Sequence, residues 1–285
     1  MLKWVCAVLA MIAFAFNSLL NREALATQLI DPWGFALIRT ISGALMLLLL
    51  LIIIPKLRKQ PTGTCAVSWW GAVSLSTYML GFSLAYVQLD AGIGALLLFS
   101  AVQFTMITYA VLVGKERFTL LQWSMLAAAF TAFVLLVSPA NSNLSLGGVV
   151  LMVIAGIAWG GYSILGRGVN PNLATRINFL RAAVLLLPIC CVAYFFNAEP
   201  IWSQRGMLLA ITSGAVASAL GYSLWYFVVA KIAMSQAAIM QLSVPPIALV
   251  LGAWLLHEHL SATTILLSVV ILGAILLFTL LRNRS

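Results

Sequence analysis

A chain of 285 residues that is 64% hydrophobic and only 7% charged, with mean hydropathy +1.12, carries more apolar surface than one soluble globule can bury. The solvent for most of it is lipid. The net charge of +9 gathers at the ends of apolar runs, which fits an anionic membrane surface and gives a nucleic-acid partner no support.

Crossing hydrocarbon takes roughly 20 predominantly apolar residues in a helix, since every backbone N–H and C=O must be satisfied within the segment. Ten segments meet that test, at residues 3–20, 32–54, 65–88, 91–113, 119–137, 147–165, 173–196, 206–230, 235–256 and 261–281. The first follows Lys3 and precedes an Ala24-Leu25-Ala26 pattern that superficially fits a signal peptide. Arg22 and Glu23 beside that pattern argue for a retained transmembrane helix. Asn17 and Ser18 lie in the outer part of this span, and Arg39 lies about two turns, some 12 Å, inside the second. The third holds Ser74, Ser76, Thr77 and Tyr78 near its centre, and the fourth holds Gln103.

Asn- and Ser-rich residues after Ser138 join the fifth span to the sixth, where Trp159, Tyr162 and Ser163 sit within WGGYSILGR. Gly156 and Gly160 there form a small-xxx-small pair suited to close helix approach. Arg181 stands inside the seventh span, Ser218, Tyr222 and Ser223 in the eighth, and Gln241 and Ser243 in the ninth. Pro245 and Pro246 interrupt the ninth span, either to free carbonyls toward a cavity or only to permit a kink. Trp4, Trp33, Trp69, Trp70, Trp123, Trp202, Trp225 and Trp254 fall near span ends, as headgroup anchors do.

The two halves match. Gly81, Ser83 and Tyr86 recur as Gly221, Ser223 and Tyr226, 140 residues on, while Arg39 and Glu116 recur as Arg181 and Glu258, 142 on. Residues 1–140 and 141–285 therefore form two five-helix repeats, and because five is odd the second enters the membrane from the opposite face. Inverted repeats with a site near the midplane are the build of many secondary transporters. Eleven Lys and Arg residues gather on the side of the N-terminus, against Arg22 and Arg205 on the other, so both termini are expected in the cytoplasm.

Large polar residues at membrane depth fall on the first, third, fourth, sixth, eighth and ninth spans. The expectation is an inner ring lining a cavity that bears neutral hydrogen-bonding groups and no fixed charge, with the fifth and tenth spans facing lipid or a second subunit. Arg39 with Glu258 on the outer side, and Arg181 with Glu116 on the inner side, are read as a pair of structural or gating contacts that swap between the two access states. All six carboxylates, Glu23, Asp31, Asp90, Glu116, Glu199 and Glu258, sit at span ends, which disfavours tight proton or sodium coupling. Cys6, Cys65, Cys190 and Cys191 show no metal-ligand spacing, and His257 and His259 at a helix end suit capping better than metal binding. Neither a cofactor nor a metal is expected, and no Walker loop or nucleophile elbow is present.

Five plus five inverted helices, the WGGYSILGR segment, the paired arginines and a Glu after the fourth and ninth spans resemble the drug/metabolite transporter superfamily, EamA branch. Within it the chain looks like the bacterial YddG-type exporters of aromatic and other amino acids. The resemblance implies an all-α basket of ten transmembrane helices around a central cavity, alternating access, and efflux from the cytoplasm across the inner membrane. It places the cavity at Phe14, Asn17, Tyr78, Phe82, Phe99, Gln103, Trp159, Tyr162, Tyr222 and Gln241. Phe104 and Gln103 stand where the second half has Pro246 and Pro245, so the halves do not share a proline break. An amino-acid exporter, as monomer or homodimer, is the leading expectation. Alternatives are a drug or nucleoside exporter of the same fold and a membrane-embedded lipid-modifying enzyme, for which clustered His, Asp or Glu at one interface is missing.

Overall fold

The computed structural model describes residues 2–54, 67–113, 115, 118–137, 144–166, 169–197, 200–229, 231 and 240–282. Among them the chain is helical, without strands. The helices are α1 (Leu2–Ala26), α2 (Pro32–Ile53), α3 (Trp69–Tyr86), α4 (Ala91–Leu112), α5 (Leu120–Val137), α6 (Leu146–Leu165), α7 (Pro171–Asn197), α8 (Gln204–Val229), α9 (Val244–Leu255) and α10 (Ala262–Arg282). Six of them, α1, α2, α4, α6, α7 and α8, are long and apolar enough to cross a membrane. Ten crossings require that α3, with its central Ser and Thr residues, and the shorter apolar α5, α9 and α10 span as well.

Helix starts follow the local sequence. Asp31 caps α2 by accepting from the Gly34 N–H at 2.8 Å, with Pro32 in the first turn, where a missing N–H is harmless. Ser68, Ser145 and Ser203 cap α3, α6 and α8 in the same way. Thr119 and Gln122 make a reciprocal capping box before α5: the Thr119 N–H donates to Gln122 Oε1 and the Gln122 N–H to Thr119 Oγ1. Pro245 and Pro246 occupy the first turn of α9, just after a turn at Leu242 and Ser243. They open a helix rather than bend one.

Packing comes in related pairs. α3 packs on α6 and α8 on α1; α4 packs on α6 and α9 on α1; α2 packs on α8 and α7 on α3. α2 also packs on α7, α4 on α9 and α5 on α10, each helix meeting its own counterpart five places on. Gly156 permits the α6–α4 approach, because a Cβ there would lie 2.5 Å from the Leu98 carbonyl oxygen and 2.6 Å from Ala101 Cβ. At the α8–α2 crossing a Cβ on Gly214 would overlap the carbonyl oxygen of Arg39 and the hydroxyl of Ser42.

One end of the bundle is drawn shut by its connections. Ile30 and Trp202 form an isolated antiparallel bridge, with the Asp31 N–H on the Ile201 carbonyl and the Ser203 N–H on the Leu29 carbonyl. Asp31 also accepts from Tyr194 Oη at 3.1 Å and Trp202 Nε1 at 3.1 Å. Arg205 pairs with Glu23 at 2.6 Å, and Ser145 bonds Gln88.

Candidate functional site

Arg39 lies fully buried in the middle of the bundle, at 0% exposure. Its Nε donates to Ser218 Oγ at 3.0 Å, and its Nη2 donates to Tyr222 Oη at 2.8 Å and Tyr78 Oη at 3.1 Å. The guanidinium carbon is 5.2 Å from the Tyr78 ring centre and 5.1 Å from that of Phe82. Nη1 has no partner. Burying a cation is costly without a counter-charge, and here it is held by hydroxyls and aromatic faces instead.

The winding of α8 supplies two of the contacts around it. Residues Ser213–Leu220 form a π-helix, a wider turn often found where a helix serves a site. Ser213 Oγ donates to Asn17 Oδ1 at 2.6 Å, and Ser218 reaches Arg39. Asn21 Nδ2 donates to Ser213 Oγ at 3.3 Å and Ser83 Oγ to Asn21 Oδ1 at 3.2 Å, while Asn17 Nδ2 lies 3.4 Å from Tyr78 Oη. A continuous polar line thus joins α1, α2, α3 and α8.

Aromatic rings close around this line. Trp159 lies 4.6 Å from Tyr222, 5.0 Å from Tyr78, and 5.5 Å from both Phe14 and Tyr162, centre to centre. Trp159 Nε1 donates to Gln241 Oε1 at 3.2 Å, and Gln241 Nε2 has no partner. Trp225, expected as a boundary anchor, is buried 6.0 Å from Phe14, with its own Nε1 unpartnered.

Of the residues expected to line a cavity, Phe14, Asn17, Tyr78, Phe82, Trp159, Tyr162, Tyr222 and Gln241 are joined by these contacts, and Phe99 and Gln103 are buried on α4. Eight of the ten thus meet in one buried cluster between the halves. Among the described residues, grooves of about 680, 460 and 210 Å³ are lined by other side chains.

The charged contacts need correction. Arg39 does not meet Glu258, and the centre does hold a fixed charge. Glu258 accepts from the Ala91 N–H at 2.6 Å and the Gly92 N–H at 3.4 Å, at the start of α4, and lies 3.6 Å from Arg22 Nε. Arg22 also pairs with Asp90 at 2.9 Å. Glu258 therefore belongs to the closed end, with Arg22 as its partner. Arg181 donates to the Val67 carbonyl at 2.7 Å and covers the Trp69 ring at 4.4 Å, tethering the start of α3. Glu116, its expected partner, lies outside the described residues.

Comparison with known proteins fixes the family. The model described as the EamA-like transporter family matches residues 146–280. An uncharacterised protein of Pseudomonas aeruginosa is 44% identical over 276 residues, covering 95% of this chain and 92% of its own length. The chain belongs to the EamA-like transporter family. Other relatives of this EamA-like protein are an uncharacterised transporter of Archaeoglobus fulgidus, 26% identical over 68% of this chain and 70% of its own, and the uncharacterised transporter YwfM of Bacillus subtilis, 23% identical over 88% and 86%. A solved crystal structure superposes with a TM-score of 0.66 at 16% identity, covering 99% of this chain and 98% of that one, a likeness of fold. The EamA-like chain is thus a multi-pass membrane protein of a transporter family within the drug/metabolite transporter superfamily.

Proposed function

We propose that this EamA-like transporter exports amino acids, aromatic and other, from the cytoplasm across the bacterial inner membrane, by alternating access between two inverted five-helix halves, residues 1–140 and 141–285. One observation carries the reading. Phe14 and Tyr78 from the first half meet Trp159, Tyr222 and Gln241 from the second at one buried cluster. Rings so placed can stack on an apolar side chain, each good aromatic pair contributing about 0.5–1.5 kcal/mol beyond its buried area. The surrounding amide and hydroxyl groups can hold a polar backbone.

The most extensive packing pairs support the repeat, because each of them is exchanged for another, or for itself, when helix n is replaced by helix n+5. The closed end carries few Lys and Arg residues, which suits the periplasmic side with both termini cytoplasmic. All six carboxylates lie at span ends, so exchange or downhill export is favoured over tight cation coupling. The α5–α10 pair stands apart from the cluster, facing lipid in a monomer or a second subunit in a homodimer.

Proteoliposomes loaded by this protein and given labelled phenylalanine, threonine or a nucleoside, with and without an imposed pH gradient, test the proposal. Saturable amino-acid uptake that persists without the gradient is the expected result. A preparation that carries the nucleoside but neither amino acid would overturn it.

A further inference from the structure

Among the described residues, three buried N–H donors at the centre have no acceptor: Arg39 Nη1, Gln241 Nε2 and Trp225 Nε1. Orphaned donors of this kind are rare in folded proteins and ask for an explanation. Arg39 and Gln241 are the two ends of one chain of contacts, running from the guanidinium through Tyr222 and Trp159 to the amide. A ligand that satisfies both ends must bring acceptors. The strongest acceptor for a guanidinium is a carboxylate, through short charge-assisted bonds.

An ammonium finds the opposite reception. The six carboxylates of the sequence all lie at span ends, and Glu23, Asp90 and Glu258 are already engaged with Arg205 or Arg22. The faces of Tyr78 and Phe82, which could attract a cation, are taken by the Arg39 guanidinium itself. That fixed positive charge repels a second one nearby. Arg181 offers a contrast, because it is spent on the Val67 carbonyl and the Trp69 ring near a helix start.

We infer that the site selects its substrate by a carboxylate held at Arg39 Nη1 and not by an ammonium, so that it accepts carboxylate anions with an apolar or aromatic body, 2-oxo acids as well as amino acids. This rests on the cluster being the substrate site, and it narrows what that site reads. Gln241 Nε2 is the second donor, met by a carbonyl or hydroxyl oxygen of the same ligand.

The test uses the full chain purified in detergent, with indole fluorescence and thermal stabilisation as readouts that do not depend on transport. The probes are phenylalanine, phenylpyruvate, phenylalaninamide and phenethylamine. Phenylalanine and phenylpyruvate should bind within about tenfold of each other, and the two probes lacking a carboxylate at least tenfold more weakly. Equal binding of the amide or the amine, or no binding of either carboxylate at millimolar concentration, overturns the inference. Arg39→Lys should keep a weakened preference for the carboxylate and Arg39→Met should lose it. Should these variants fail to fold, the native ligand panel still decides. The two readings fail separately: binding of both carboxylates with uptake of phenylpyruvate but not of phenylalanine would sink amino-acid export alone, whereas saturable phenylalanine uptake matched by its amide would sink the carboxylate rule alone.

Discussion

Trp159 does two jobs through two parts of one side chain. Its ring touches Phe14, Tyr78, Tyr162 and Tyr222, while its Nε1 holds Gln241. Trp159→Phe keeps most of the ring and removes the donor, leaving Gln241 buried with neither end satisfied. A stability loss of about 1–3 kcal/mol is expected from that orphaned amide, measured by denaturant unfolding in detergent, together with a several-fold rise in KM for phenylalanine in proteoliposomes. Glu258 makes a pH prediction. Burial, and then the neighbouring Asp90, push its carboxyl above the ordinary glutamate range, outweighing the opposite pull of the Ala91 and Gly92 N–H groups and Arg22. An acid raised in the folded state binds more protons folded than unfolded, so its contribution is full below the ordinary glutamate pKa and is lost as pH rises through the raised one. Thermal stability should therefore fall across that window, and Glu258→Gln should flatten the fall. Sequence alone placed Arg39 inside a span but gave it the wrong company. Its partners Tyr78, Ser218 and Tyr222 lie 39, 179 and 183 residues away, beyond the reach of any local pattern, and the repeat drew attention to Glu258 instead.

Helices were the most legible part of the chain, since apolar length and Ser, Thr or Asp caps are written locally. Nothing local announces that Ser213–Leu220 winds as a π-helix. Small residues there only permit it, and the winding is held by tertiary contacts from Ser213 to Asn17 and Ser218 to Arg39. The prolines were legible as an interruption of the apolar run, and a turn at Leu242 and Ser243 does precede α9; that they would sit inside the first turn of the new helix is a local detail the run does not announce. Gly214 is where α8 can be probed. Its Cβ position is filled by the Arg39 carbonyl and Ser42 Oγ, backbone and a short side chain that cannot yield without parting the helices. Gly214→Ala should cost roughly 1–3 kcal/mol or more through overpacking. Gly273→Ala on α10, with nothing within 4 Å, should be neutral or stabilising by up to about 1 kcal/mol. Thermal unfolding of both variants beside the parent checks the contrast.

For the whole molecule, the proposed cycle requires the closed end to open. Ile30 and Trp202 face each other as a non-hydrogen-bonded pair, because the bonds run from Asp31 to Ile201 and from Ser203 to Leu29. Such pairs place their Cα atoms about 4.5 Å apart, within the range a disulfide of about 4.4–6.8 Å can bridge. With the four native cysteines replaced by alanine, Ile30→Cys with Trp202→Cys should stop substrate turnover on oxidation and recover it on reduction. Unchanged turnover of the fully oxidised protein would mean that this end does not move. Cysteine accessibility at each connection from the two sides of sealed vesicles tests the ten crossings and the opposite sense of the two halves, successive connections being expected to label from alternate sides.

The packed centre has a consequence for the membrane that carries it. Where Phe14, Tyr78, Trp159 and Tyr222 press ring against ring between the two halves, a hydrated ion finds no room to pass between them. Vesicles bearing the protein should hold an imposed electrical potential as long as bare lipid does until cargo is added.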